Sequence, residues 1–194
     1  MDVDIYLASQ SPRRSELLQQ LGVRFEVLVA DVDERHRTGE SAQQYVQRLA
    51  TEKANAIWTS LSEDHRQPVL GADTTVCIDG EILGKPVDRD DGLAMLRQLS
   101  GQQHEVLSGI ALIGEKHSVC VNVSQVSFRE LSDAEIEAYW DTGEPQGKAG
   151  GYAIQGYAAA FISELHGSYS GVMGLPLFET AKLLSEFNIP IWQT

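Results

Sequence analysis

The chain has 194 residues, 42% of them hydrophobic and 22% charged, enough for one substantial core or two lobes sharing a sheet in an ordinary soluble globular protein. Its formal charge of −13 argues against a broad basic face for a nucleic-acid backbone, so a small anionic ligand needs locally clustered Lys and Arg or a metal ion. No apolar run approaches the roughly 18 residues of a membrane span, and the acidic start Met1-Asp2-Val3-Asp4 leads directly into a strand and is not expected to be a signal peptide.

Ile5-Tyr6-Leu7-Ala8 is a short apolar run of the kind that forms a buried strand. Ser11-Pro12 opens a helix, with serine as N-cap and proline at the first helical position. Leu17, Leu18 and Leu21 give it an apolar face and Gly22 ends it. Arg13 and Arg14 break a local rule there. Each sets a cation against the positive end of the helix dipole, at a cost of a few tenths to about 1 kcal/mol. Either they are solvated and tolerate that cost, or the helix N-terminus, with its free N–H groups, hydroxyls and guanidiniums, binds an anion.

Residues 25–29 alternate as a second strand. The acidic loop Asp31-Val32-Asp33-Glu34 could ligate Mg²⁺, although its spacing alone favours a solvated loop. A long helix is predicted over residues 42–61, started by Glu40 and Ser41, with Val46, Leu49, Ala50, Ala54 and Ile57 on its apolar face. Lys53 falls in the middle of that face and must snorkel, pair with a carboxylate or meet a ligand. Arg48 and Glu52 point elsewhere and read as ordinary surface.

The densest strand signal covers residues 68–78 and is interrupted by Asp73. A carboxylate in so apolar a run serves as a general base or metal ligand, or is a structural group satisfied by nearby backbone. Asp79-Gly80 is a hairpin turn leading to a return strand, Glu81-Ile82-Leu83, and then to Gly84-Lys85-Pro86. Lys85 gains weight only as a partner for Asp73 across that hairpin.

Asp88 caps a helix over residues 89–99. Strands follow over residues 106–112 and from Val119, joined by a hairpin at Gly114-Glu115-Lys116, and a slip of the apolar phase at Ser124-Gln125 predicts a bulge. Cys77 and Cys120, both in predicted strands, have no metal-ligand or redox spacing and read as reduced core residues of a cytoplasmic protein. Ser132-Asp133-Ala134-Glu135 is a capping box opening a short helix. The glycine-rich stretch 143–156, with Lys148 and Gln155, is either a ligand-contacting loop or a mobile connector. Residues 158–165 read as a strand, 166–171 as a turn, and the last helix runs from Pro176 to Phe187.

Taken in order, these motifs resemble those of the Maf family of nucleoside triphosphate pyrophosphatases. The likeness runs from Leu7-Ala8-Ser9-Gln10-Ser11-Pro12-Arg13-Arg14 to Gly174-Leu175-Pro176-Leu177. Between them stand Asp33-Glu34, Glu52-Lys53-Ala54, Gly71-Ala72-Asp73-Thr74, Gly84-Lys85-Pro86, Lys148-Ala149-Gly150-Gly151-Tyr152 and Ile154-Gln155-Gly156. The resemblance implies a single α/β domain over residues 1–194, with a curved mixed sheet flanked by helices. It also implies an elongated shape, two lobes with a central cleft, and kinship with the inosine triphosphate pyrophosphatases. It implies a cytoplasmic enzyme, commonly a homodimer, that needs Mg²⁺ or Mn²⁺ and binds neither nucleic acid nor membrane.

By the same resemblance Asp73 is the proton acceptor and, with Glu34, a metal ligand; Asp33 is the alternative to Glu34. Ser9, Arg13, Arg14, Lys53 and Lys85 are expected to bind the triphosphate. Arg13, Thr74 and Gln155 are similar to the branch acting on dTTP and UTP, whereas the 7-methyl-GTP branch tends to carry Trp, Gln and Glu there. Gln offers a donor and an acceptor to the edge of uracil or thymine, and Trp suits a cationic methylated base. A nucleotide-binding regulator of septum formation is the alternative from another class.

Overall fold

The structure, a computed structural model, describes residues 3–192; Met1 and Asp2 of the acidic N-terminal stretch lie outside them. In chain order the elements are β1 (Ile5–Ala8), α1 (Pro12–Gln19), β2 (Phe25–Leu28), α2 (Ala42–Ser60), β3 (Val69–Ile78), β4 (Glu81–Leu83) and α3 (Arg89–Leu99). They continue with β5 (Gln103–Ile113), β6 (His117–Phe128), α4 (Asp133–Asp141), β7 (Ile162–His166), α5 (Tyr169–Met173) and α6 (Leu177–Glu186). The strands follow the order β2-β1-β3-β5-β6-β7, with β4 paired to β3. Pairs β1–β2 and β1–β3 are parallel, β3–β4 and β6–β7 antiparallel, so the sheet is mixed, as expected. Among the described residues no helix is long and apolar enough to cross a membrane.

Local chemistry explains most of the boundaries. Ser41 caps α2 in a reciprocal box with Gln44, Ser132 does the same for α4 with Glu135, and Asp88 accepts from Asp91 N at the start of α3. Asp79 and Gly80 both take positive φ, 50° and 82°, which is the primed turn that joins β3 to β4. Ser11 stands at the N-cap of α1, but its hydroxyl makes no capping bond.

The chain divides into two compact units, with β3, β5 and β6 each contributing residues to both. One comprises the chain up to Asp73, Ser108–Asn122 and the residues from Gly174 onward. Its core sets Ala50, Ala54 and Ile57 of α2 against Tyr6, Ala8, Val69, Ala111 and Ile113. Gly71 makes the approach of α2 to β3 possible, since a Cβ there would run into the Ala50 carbonyl and the Ala54 amide. The other unit comprises Thr74–Leu107 and Val123–Met173. It packs α3 and α4 with Val76, Phe128, Tyr152 and Phe161 in a core rich in edge-to-face rings.

Three expectations need correction. Residues 158–165 are not one strand: a 3₁₀ turn occupies Tyr157–Ala160 and β7 starts only at Ile162, because consecutive alanines offer a strand little side chain to pack. The predicted turn at 166–171 contains the start of α5, where Ser168 Oγ accepts from Gly171 N. The slip of apolar phase at Ser124-Gln125 is not matched by a slip of burial along β6. Even-numbered positions are the more buried along the strand, and Val119 and Val123 lie on the other face, 37% and 44% exposed. Those valines suit a strand by their β-branching rather than by burial; the register shift against β7 falls at Ser127/Phe128. Cys77 is buried and Cys120 half-buried, and both are free thiols.

Candidate active site

Lys53 lies within the apolar stripe of α2 that Gly71 lets press on β3. Asp73 stands two residues beyond Gly71, hence on the same face of β3. The two side chains meet: Lys53 Nζ donates to Asp73 Oδ1 at 2.7 Å and contacts Glu34 Oε1 at 2.6 Å. Lys53 and Asp73 are each only 8% exposed. Pairing with carboxylates thus accounts for the lysine, and a lysine rather than nearby backbone accounts for the aspartate. Such a pair is costly to disrupt from one side, at about 3–5 kcal/mol, because the survivor is left buried and charged.

Glu34 comes from the acidic loop, which is tied to α2 at several points. Tyr45 Oη donates to the Glu34 carbonyl at 2.9 Å. Arg48 donates to Glu40 Oε1 at 2.6 Å, to the Arg35 carbonyl at 3.1 Å and to Glu52 Oε2 at 3.1 Å, while Arg37 reaches Glu52 Oε1 at 2.9 Å. Arg48 and Glu52 are therefore not plain surface: they clamp the loop that delivers Glu34. Asp33 is paired instead with Arg35 at 2.7 Å, and that guanidinium holds its carboxyl well below the usual carboxylate range.

At the start of α1, Arg14 Nε donates to the Gly174 carbonyl at 2.8 Å and Nη1 to Ser9 Oγ at 3.2 Å; Ser9 Oγ also accepts from Ser11 N. Burial lowers the Arg14 pKa from its usual value; Asp73 opposes that shift, neighbouring Arg13 adds to it, and Glu34 opposes it again. Burial and the charges of Asp73 and Glu34 likewise push the Tyr45 hydroxyl up to about 12. Arg14 is thus no solvated surface residue, and Ser9, Arg14, Lys53, Glu34 and Asp73 fall within one electrostatic neighbourhood of the first unit. Arg13 shares the first turn of α1 and is half-buried.

Asp73 and Glu34 are hard oxygen donors converging on a single Nζ, a donor set that suits Mg²⁺ or Mn²⁺. Among the described residues no group of three or more His, Cys, Asp or Glu is placed to hold a metal. A cation at these two carboxylates would therefore complete its shell from water and ligand oxygens, as Mg²⁺ commonly does.

Thr74, Lys85 and Gln155 belong to the other unit. Thr74 follows Asp73 on β3 and is half-buried, while Lys85 and Gln155 are exposed. Lys85 leaves β4 beside Gly84, whose carbonyl accepts from Gly150 N at 3.0 Å. The glycine-rich stretch is thereby bonded to the exit of β4. It is also anchored at Tyr152, whose hydroxyl pairs with His104 Nε2 at 2.8 Å, so it is no free connector. Lys148 Nζ is directed back to the Glu144 carbonyl at 2.5 Å.

Sequence reasoning passed over Tyr45 and the Gly174 carbonyl. Tyr45, Leu49 and Lys53 stand on one i, i+4, i+8 row, a signal that could have found the tyrosine. A backbone carbonyl carries no such signal.

Residues 4–187 match the protein family described as "Maf-like protein". The chain is 57% identical over 188 residues to the dTTP/UTP pyrophosphatase of Alkalilimnicola ehrlichii, covering 95% of this chain and 93% of that protein. It is 53% identical over 189 residues to the dTTP/UTP pyrophosphatase of Hahella chejuensis, covering 97% and 94%. The dTTP/UTP pyrophosphatase of Escherichia coli O157:H7 is 51% identical over 185 residues, covering 95% and 93%. A solved structure of the Staphylococcus aureus Ham1 protein overlaps 66% of this chain and 72% of its own, with a TM-score of 0.45 and 18% identity.

Proposed function

Because the chain belongs to the Maf family, we propose that it is a nucleoside triphosphate pyrophosphatase hydrolysing dTTP and UTP to the monophosphate and pyrophosphate. The observation that carries the chemistry is the buried Lys53–Asp73 pair with Glu34 on the same ammonium. In this reading a water attacks the α-phosphorus in line. The new P–O bond forms as the bond to the bridging oxygen breaks, and the water proton passes to Asp73. Asp73 Oδ1 is committed to Lys53, which orients the carboxylate and leaves Oδ2 to take the proton.

Ser9, Arg13, Arg14, Lys53 and Lys85 bind the phosphates and stabilise the charge that moves onto the leaving pyrophosphate. Glu34 and Asp73 would hold a divalent cation, which when bound supplies further neutralisation of the phosphate charge. Arg13, Thr74 and Gln155 select the substrate. The Gln155 amide can donate to a pyrimidine carbonyl and accept from its N3–H, whereas the N1–H and amino group of guanine both call for acceptors.

The test is pyrophosphate release from dTTP, UTP, CTP, ATP, GTP and 7-methyl-GTP, with and without Mg²⁺ or Mn²⁺, for the wild type and Asp73→Asn. Metal-dependent release from dTTP and UTP is expected, falling roughly 10²- to 10⁴-fold in the variant. A preference for 7-methyl-GTP would overturn the substrate assignment. Full activity of the variant would remove Asp73 as the base.

A further inference from the structure

A carboxylate outside the charged site holds the stretch that carries Gln155. Glu144 Oε1 accepts from Tyr139 Oη at 2.8 Å and from Ala158 N at 3.3 Å, and its Oε2 accepts from Tyr157 N at 3.0 Å. Tyr139 Oη in turn accepts from Ala153 N at 3.3 Å. The N–H groups captured in this way bracket Gln155 on both sides. Gly156, next to Gln155, leaves the space the carboxylate needs, since a Cβ there would collide with both Glu144 oxygens. The turn bearing Glu144 is itself closed, because Glu144 N donates to Thr142 Oγ1 at 3.2 Å and Lys148 Nζ to the Glu144 carbonyl at 2.5 Å.

This arrangement is more than packing requires. Glu144 is half-buried, and even partial removal of a carboxylate from water carries a cost that an apolar residue would not. What a carboxylate provides is two acceptor-only oxygens. They suit a phenol and two successive backbone N–H groups at once, with no donor to misdirect. Burial and the Glu144 carboxylate push the Tyr139 phenol well above its ordinary range, so it stays a donor throughout the working range. A side chain that reads donors and acceptors on a base must be held within about 0.5 Å of its productive geometry. Gln155 is exposed, so burial does little to hold it and its backbone must.

We infer that Glu144, with Tyr139, is a positioning residue that fixes the backbone on both sides of Gln155 and thereby sets the preference among nucleobases. The inference rests on the base-reading role of Gln155 proposed above.

A double-mutant cycle on the full chain tests it, with kcat and KM measured on dTTP, UTP and CTP for wild type, Glu144→Gln, Gln155→Ala and the double variant. Gln155→Ala is expected to lower the dTTP-to-CTP ratio of kcat/KM about tenfold or more, on the scale of losing one recognition bond. Glu144→Gln turns an amide N–H₂ toward the N–H donors. It should lower the ratio by a similar factor, mostly through KM, and the double variant should fall no further than Gln155→Ala. Equal losses on every nucleotide, or losses that multiply with Gln155→Ala, would reduce Glu144 to a structural role and overturn the inference while Gln155 keeps its role. An unchanged ratio in Gln155→Ala would instead remove the base-reading role, and the positioning role with it. Should Glu144→Gln fail to fold, Tyr139→Phe, which deletes one phenol hydroxyl, takes its place in the same cycle with the same outcomes.

Discussion

In the first unit Lys53 reaches two carboxylates, Arg14 is bound through Ser9 and Gly174, and Arg48 clamps the acidic loop with further ion pairs. In the second, Gln155 sits on backbone held by Glu144 and Tyr139, and Tyr152 is anchored by a neutral imidazole. Both are built from specific polar partners, but the means differ with the ligand part each would serve. A polyphosphate is met by charge, and charge that is buried must be balanced before the ligand arrives. A pyrimidine edge is neutral, so reading it depends on where donors and acceptors stand rather than on net charge. One region is consequently sensitive to the loss of a single charge, the other to the loss of geometry.

The largest effect is expected from breaking the charge balance. Lys53→Met leaves Asp73 buried without its partner and should destabilise the protein by about 3–5 kcal/mol in urea unfolding. Lys53→Met combined with Asp73→Asn should regain most of that stability, because both charges leave together. If the double variant is no more stable than the single one, the pair is not the balanced unit its geometry indicates.

The second unit has a different weakness. His104 is 2% exposed, and burial holds its pKa down to about 4 against an ordinary 6.5. Between those values the unfolded chain binds a proton that the folded chain refuses. Stability is therefore lost as the pH falls from about 6.5 to about 4 and levels off below, for a total of about 3 kcal/mol. His104→Gln keeps a partner for the Tyr152 hydroxyl but does not titrate, so this acid-linked loss should vanish. Denaturant midpoints measured across that window check it; a variant that tracks the wild type would place the acid sensitivity elsewhere.

How far each region was legible follows from the range of the interactions. The caps at Ser41, Asp88 and Ser132 lie within four residues of their partners, and the Asp79-Gly80 turn is local as well. Sequence shows such features directly. Lys53 and Asp73 were legible as anomalies, each a charge set in an apolar pattern. Their pairing was not, since 20 positions separate them and only the approach of α2 at Gly71 joins them. The valines of β6 misled because β-branching and burial give the same pattern in one dimension. Glu144 escaped notice because, Tyr139 apart, its partners are backbone N–H groups, which every residue but proline possesses.

Gly71 is where the first unit's geometry can be changed without touching a charge. Gly71→Ala pushes a methyl group against Ala50 and Ala54 and must move α2 off β3. A loss of about 1–3 kcal/mol is expected from overpacking. Activity should fall further than stability suggests, since Lys53 rides on the displaced helix. Unfolding and dTTP turnover measured on the same preparation separate the two. Activity that stays in proportion to the folded fraction would mean that Lys53 follows Asp73 despite the shift.

The smallest change separates the loop from the charges it carries. Tyr45 donates to the Glu34 carbonyl at 2.9 Å, and its hydroxyl, pushed up to about 12, stays protonated through any working pH. Tyr45→Phe removes that one bond and leaves the Arg48 clamp and the Lys53 pair in place, so stability should fall by only about 1 kcal/mol. Glu34 then loses the tether nearest to its own backbone while keeping its carboxylate. Under the proposed role for Glu34, the Mg²⁺ concentration needed for half-maximal dTTP hydrolysis should rise several-fold, with turnover at saturating metal little changed. A variant with unchanged metal dependence would show that Arg48, Glu40 and Glu52 suffice to hold the loop. A drop in turnover at saturating metal would show that the hydroxyl serves the reaction itself rather than the delivery of Glu34.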